Sequence, residues 1–156
     1  MKNFISLGFT LVMGLSSCKS KSNIVEKQNN EMSEEVTEPN ANMNDIWALY
    51  AMEGSDFSPK EIKKGAKIPM LEFHLKEMRY AGNDGCNSIF GALDKVTGAE
   101  LNFGQGGGTR MFCVDDEVSP VFNKNLGLVK GYKIEKTTLS LLDIDGKVLI
   151  TLRKID

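Results

Sequence analysis

The chain has 156 residues, 41% of them hydrophobic and 26% charged, with 19 basic residues against 21 acidic ones and a formal net charge of −2. From Trp47 onward Lys plus Arg equal Asp plus Glu at fifteen each. No basic stripe of the kind that neutralises phosphates stands out, so nucleic acid is not an expected partner. One histidine and three cysteines leave too few ligands for a cysteine–histidine metal cluster.

The first element is a leader. Lys2 supplies a positive start, and Phe4 to Leu15 is an apolar run within the range of a secretory signal. It is too short to span a bilayer, which takes roughly 20 apolar residues. "LSSC", Leu15 to Cys18, has the form of a lipoprotein cleavage site. The expectation is a signal peptide over residues 1–17, with Cys18 acylated and serving as the membrane anchor. Lys19 follows where some bacteria place an aspartate for inner-membrane retention. The outer membrane, facing the periplasm, is therefore the expected location. In that oxidising space the remaining cysteines, Cys86 and Cys113, make one even pair.

Residues 18–44 then read as a lipidated cysteine and a disordered tether. Lys, Ser, Glu and Asn dominate, and aliphatic clusters are almost absent. A flexible chain of that length reaches on the order of 30 Å. Residues 45–156 leave enough chain for one core and too little for two.

Within that domain the strands show as alternation. "DIWALYAM" sets Trp47, Leu49 and Ala51 against Ile46, Ala48 and Tyr50. "PMLEFHL" puts Leu71, Phe73 and Leu75 inward, with Glu72 and His74 outward. "EMRYAG" and "CNSIFGAL" read as a pair joined through "GNDG". "AELNF" and "TRMFC" are expected to be further strands linked by the glycine-rich "GQGGG" loop. "TLSLLDIDGKVLITLRK" reads as a closing hairpin turning at Asp145-Gly146. One main helix is predicted between Asp115 and Lys130, with its body near 116–130. Val118, Val121, Phe122, Leu126 and Val129 fall three or four apart there. Ser119 is the expected cap, Pro120 the first helical residue and Gly131 the terminator. The fold class is α+β, with a mostly antiparallel sheet.

In this order the motifs resemble the META domain, the family of HslJ-like heat-shock lipoproteins. A tryptophan opens the first strand in "WALYAM", "PMLEFHL" precedes "GNDGCNSIFG", "TRMFC" follows, and the hairpin closes the chain. The resemblance covers Trp47 to about Lys154. It implies a strongly curved, cracked-barrel-like sheet with a helix packed on it, in a cell-envelope protein tied to stress or secretion. The motif positions carried over are Gly82, Gly85, Cys86, Asn87, Gly91, Thr109, Arg110 and Cys113. The resemblance supplies no catalytic residue.

The candidate chemistry is sparse. Cys86 and Cys113 are best read as a structural cystine, worth about 3 kcal/mol through loop closure. Buried free thiols, or a redox or metal pair, are the alternatives. His74 could in principle activate a thiol, but its outward position makes it a solvent-facing strand residue. "GQGGGTR" lacks the Lys-Ser/Thr of a phosphate loop, and "DIDGK" lacks the distal glutamate of a calcium loop. Arg110 is expected to form a structural ion pair with Asp84, Asp115 or Asp116, and Asn87 to steady a turn. The functional expectation is a non-enzymatic, monomeric envelope lipoprotein that binds or scaffolds an envelope protein. It needs no cofactor and no metal. A small-ligand or lipid carrier using the barrel interior, and a thiol redox enzyme centred on Cys86, are the alternatives.

Overall fold

The computed structural model describes residues 37–61, 67–114 and 116–155. The expected signal peptide, Cys18 and most of the expected tether lie outside the described residues. Eight strands and one helix follow in chain order: β1 (Ile46–Met52), β2 (Met70–His74), β3 (Arg79–Asn83), β4 (Ser88–Val96), β5 (Leu101–Gly108), α1 (Val118–Leu128), β6 (Gly131–Glu135), β7 (Thr138–Leu142) and β8 (Val148–Lys154). All strand pairs are antiparallel, in the order β5-β4-β3-β2-β1-β8-β7-β6. The sheet is an α+β half-barrel, as the alternation and the resemblance implied. Its two end strands meet only at their beginnings. Leu101 N donates to Lys130 O at 3.2 Å and Tyr132 N to Ala99 O at 2.9 Å, around a bridge between Glu100 and Gly131. No helix among the described residues is long and apolar enough to cross a membrane.

The concave face carries the core. Trp47, Leu71, Phe73, Leu101, Phe122, Leu139, Leu141, Ile150 and Leu152 are buried. β1 departs from simple alternation. A bulge between Leu49 and Ala51 shifts the inward set from Trp47 and Leu49 to Met52, leaving Ala51 half-buried. Order also begins ahead of Asp45. Thr37 receives the Gly98 amide at 2.9 Å on its carbonyl, Met43 is fully buried, and the Trp47 indole N–H donates to Met43 O at 3.0 Å. Burying the indole requires that acceptor, so the chain just upstream of β1 belongs to the packed domain.

Two elements differ from the sequence expectation. The glycine-rich run is strand, not loop. Residues 104–108 continue β5 against β4, and Thr109 to Cys113 form no strand. The reason is steric. A Cβ at Gly106 would lie 2.6 Å from Phe90 O, and one at Gly108 2.6 Å from Ser88 O, so only bare backbone fits this close to β4. The helix is shorter than expected and differently capped. Asp116, not Ser119, receives the first-turn donors: Ser119 N at 2.9 Å, and the Ser119 hydroxyl. Pro120 sits third in the helix, where its missing N–H still costs nothing. The helix ends at Val129, which is extended. Gly131 opens β6, where an added Cβ would crowd Ala99 O at 3.1 Å.

Candidate functional site

Most of the motif residues converge at one end of the sheet, on the turn between β3 and β4. Asp84 organises it. The residue is only 2% exposed. Its Oδ1 accepts from Cys86 N at 2.9 Å and Asn87 N at 2.6 Å, and its Oδ2 from the Asn123 amide of α1 at 2.7 Å. Gly85, at φ +103°, makes the turn that lets both backbone donors face one carboxylate. Gly82 and Gly91 serve the approach of neighbouring strands. A Cβ at Gly82 would overlap Met70 O, and one at Gly91 would press into the Tyr80 ring at 2.7 Å.

From this turn the chain after β5 is tied down at three points. Cys86 and Cys113 are joined as a disulfide with Cα atoms 6.0 Å apart. Asn87 Oδ1 accepts from Met111 N at 2.7 Å and from the Thr109 hydroxyl at 3.2 Å. Thr109 Oγ1 in turn accepts from Ser88 N at 3.1 Å. Cys86 is buried at 4% exposure, so its sulfur is a structural half-cystine here and not a thiol. Asn87, expected to steady a turn, instead ties Thr109 and Met111 to it, while the turn's own backbone donors are held by Asp84.

The tied segment displays apolar side chains outward. Met111 is 55% exposed, Phe112 92% and Val114 77%. Phe90, at 59%, lies beside Gly107 at the same end of the sheet. Against the core, where residues of this type are buried, this is a concentrated exception.

Beside the loop runs a cleft of about 430 Å³ between β5 and α1. Ile89, Phe103 and Leu126 give it apolar walls, and Tyr80, Asn123 and Arg110 give it polar ones. The Tyr80 ring stands edge-on to Phe103 at 4.9 Å, and burial pushes its phenol above the ordinary value of 10.0. Deeper in the sheet, Trp47 and Phe73 are at 1% exposure or less. The open volume lies at the β5 end of the half-barrel, against α1, with the core residues Tyr80, Ile89 and Leu126 in its wall.

Other expectations resolve differently. Arg110 makes no ion pair with Asp84 or Asp116 among the described residues; it is exposed at the cleft, and Asp115 lies outside the description. Asp84 is already satisfied by backbone and amide donors, which removes the need for Arg110. His74 is half-buried, with Nε2 3.3 Å from Glu72 Oε1. It pairs with Arg79 at one end of β3, whereas Cys86 follows the other end. The two are not brought together. No cluster of three or more His, Cys, Asp or Glu able to hold a metal occurs among the described residues. Sequence reading passed over Asp84 and Asn123 as a bonded pair. The aspartate had a signal, since an Asx side chain two and three residues before backbone donors is a turn device. Asn123 had none.

Comparison with known proteins agrees with the fold. Residues 41–156 match the family model of the META domain. No curated protein matches. The chain is similar to a protein from Burkholderia xenovorans solved by NMR, at 22% identity over 72% of this chain and 82% of that one, with a TM-score of 0.54. A second NMR structure matches at 20% identity over 72% of this chain and 90% of its own, also at 0.54. At such identities the likeness is one of fold.

Proposed function

This chain belongs to the META-domain family, and from that premise we propose that it is a non-enzymatic binding protein of the cell envelope, which engages a protein partner through the tied loop Met111–Val114. The observation that carries the reading is the exposure of Met111, Phe112 and Val114 on a segment held by a disulfide and by Asn87. Apolar side chains displayed together mark interaction surfaces, and prior tethering reduces the ordering cost of binding. The bonded state of Cys86 and its separation from His74 support a binding role over thiol chemistry. Lipidation at Cys18 and an outer-membrane location belong to the same proposal, and rest on "LSSC" and on Lys19.

The test is a photo-crosslinking residue placed at Phe112 in intact cells, with the same residue at Lys133 on β6 as control. Adducts specific to position 112 are expected. Equal labelling at both positions, or none, would remove the loop as the contact.

A further inference from the structure

The outer edge of β5 is the least defended part of this sheet. Past Leu101, β5 has a hydrogen-bonded neighbour on one side only, and no backbone bond to anything but β4 is made by Phe103–Gly108 among the described residues. Alternate N–H and C=O groups of such an edge face outward unpaired. Proteins protect edges with charge, proline or a covering segment. The opposite edge, β6, follows that rule, with Lys133 and Glu135 exposed and paired at 2.8 Å. Gly104–Gly108 carries neither charge nor proline. Packing explains Gly106 and Gly108, but an added Cβ at Gly107 would meet nothing closer than 3.4 Å. That Cβ would rest on the Phe90 ring at the sheet face in ordinary contact, so packing on β4 does not require a glycine there.

The cleft lies along this same half of β5. Across it, Gly127 of α1 has nothing within 4 Å of an added Cβ, so the helix leaves the seam wide. Arg110 is the one cationic residue lining the cleft, and the Asp84 carboxylate there is already occupied by Cys86 N, Asn87 N and Asn123.

We infer that the Phe103–Gly108 edge takes up an extended segment of a partner protein as an added strand, whose inward side chains enter the cleft and include an acidic one paired with Arg110. Strand addition uses main-chain hydrogen bonds for affinity and alternate side chains for selection. An apolar side chain of the segment reaches Ile89, Phe103 and Leu126, and its carboxylate meets the guanidinium. The inference rests on the binding role proposed above and adds the partner's conformation and charge.

The experiment pans a displayed library of short linear peptides against the purified chain, then maps enriched peptides by amide chemical-shift changes. Acidic, proline-free peptides are expected, with shifts at Phe103–Gly108 and Arg110. N-methylation of alternate peptide amides, and separately Arg110→Glu, should each weaken binding about tenfold or more. Peptide methylation leaves the protein fold untouched. Enrichment of nothing, indifference to methylation, or shifts confined to Met111–Val114 overturns the edge. The last outcome leaves the loop reading standing, and adducts absent at Phe112 with intact edge binding would do the reverse.

Discussion

The side-chain oxygen of Asn87 lies 2.7 Å from the backbone nitrogen of Met111, across 24 positions of sequence. One amide thereby sets where an exposed loop leaves the sheet. Asn87→Ala removes this acceptor and the one for the Thr109 hydroxyl. The expected loss is about 1 kcal/mol, because both bonds are solvent-accessible. Amide exchange at Met111 should quicken while the core amides keep their protection. An unchanged Met111 exchange rate would show that the disulfide alone holds the loop.

The Cys86–Cys113 bond closes a loop with a sequence separation of 27. Its removal by Cys86→Ser with Cys113→Ser should cost about 3 kcal/mol in denaturant unfolding. The strands bury the core without it, so the reduced protein should still show the native far-ultraviolet spectrum. Mass measurement after alkylation of the unreduced chain checks that both thiols are bonded.

Two glycines at the seam should respond in opposite directions. Gly106→Val drives a side chain into Phe90 O and the Tyr80 hydroxyl, at 2.6 and 2.8 Å from its Cβ. A loss of about 2 kcal/mol or more is expected. Gly127→Ala meets open space within the last turn of α1 and should gain about 0.5 kcal/mol. Thermal unfolding of the pair measures both.

Tyr80 offers a pH signature. Burial raises its phenol above 10.0 in the folded state, so the folded protein holds that proton more tightly than the unfolded chain. The associated stability is complete below pH 10.0 and is lost as pH rises through the folded value. Tyr80→Phe, whose hydroxyl has no hydrogen-bond partner among the described residues, should be near neutral at pH 7 and should lessen the alkaline loss. Unfolding midpoints on either side of pH 10 test this.

The sequence made the strands legible wherever one face was wet. Leu71 and Phe73, or Leu139 and Leu141, alternate with polar neighbours, and each is buried as that pattern requires. It failed at β5, where glycine's low strand propensity was overridden by the need for bare backbone near Phe90 and Ser88. It failed also at the bulge in β1, because one extra residue resets the inward side and leaves no mark in composition. The even pair of remaining cysteines predicted the cystine, and "GNDG" the turn between β3 and β4. The cleft depends on α1 standing away from β5, a tertiary distance with no local sequence signature.

The pairing of β1 with β8 joins the first and last strands of the sheet. A ribosome or a translocation channel releases these strands at opposite ends of the job. Until Val148–Lys154 emerges, β1 keeps one flank bare in the middle of the future sheet, open to pairing with other chains. A product lacking only Val148–Lys154 should therefore aggregate or be degraded.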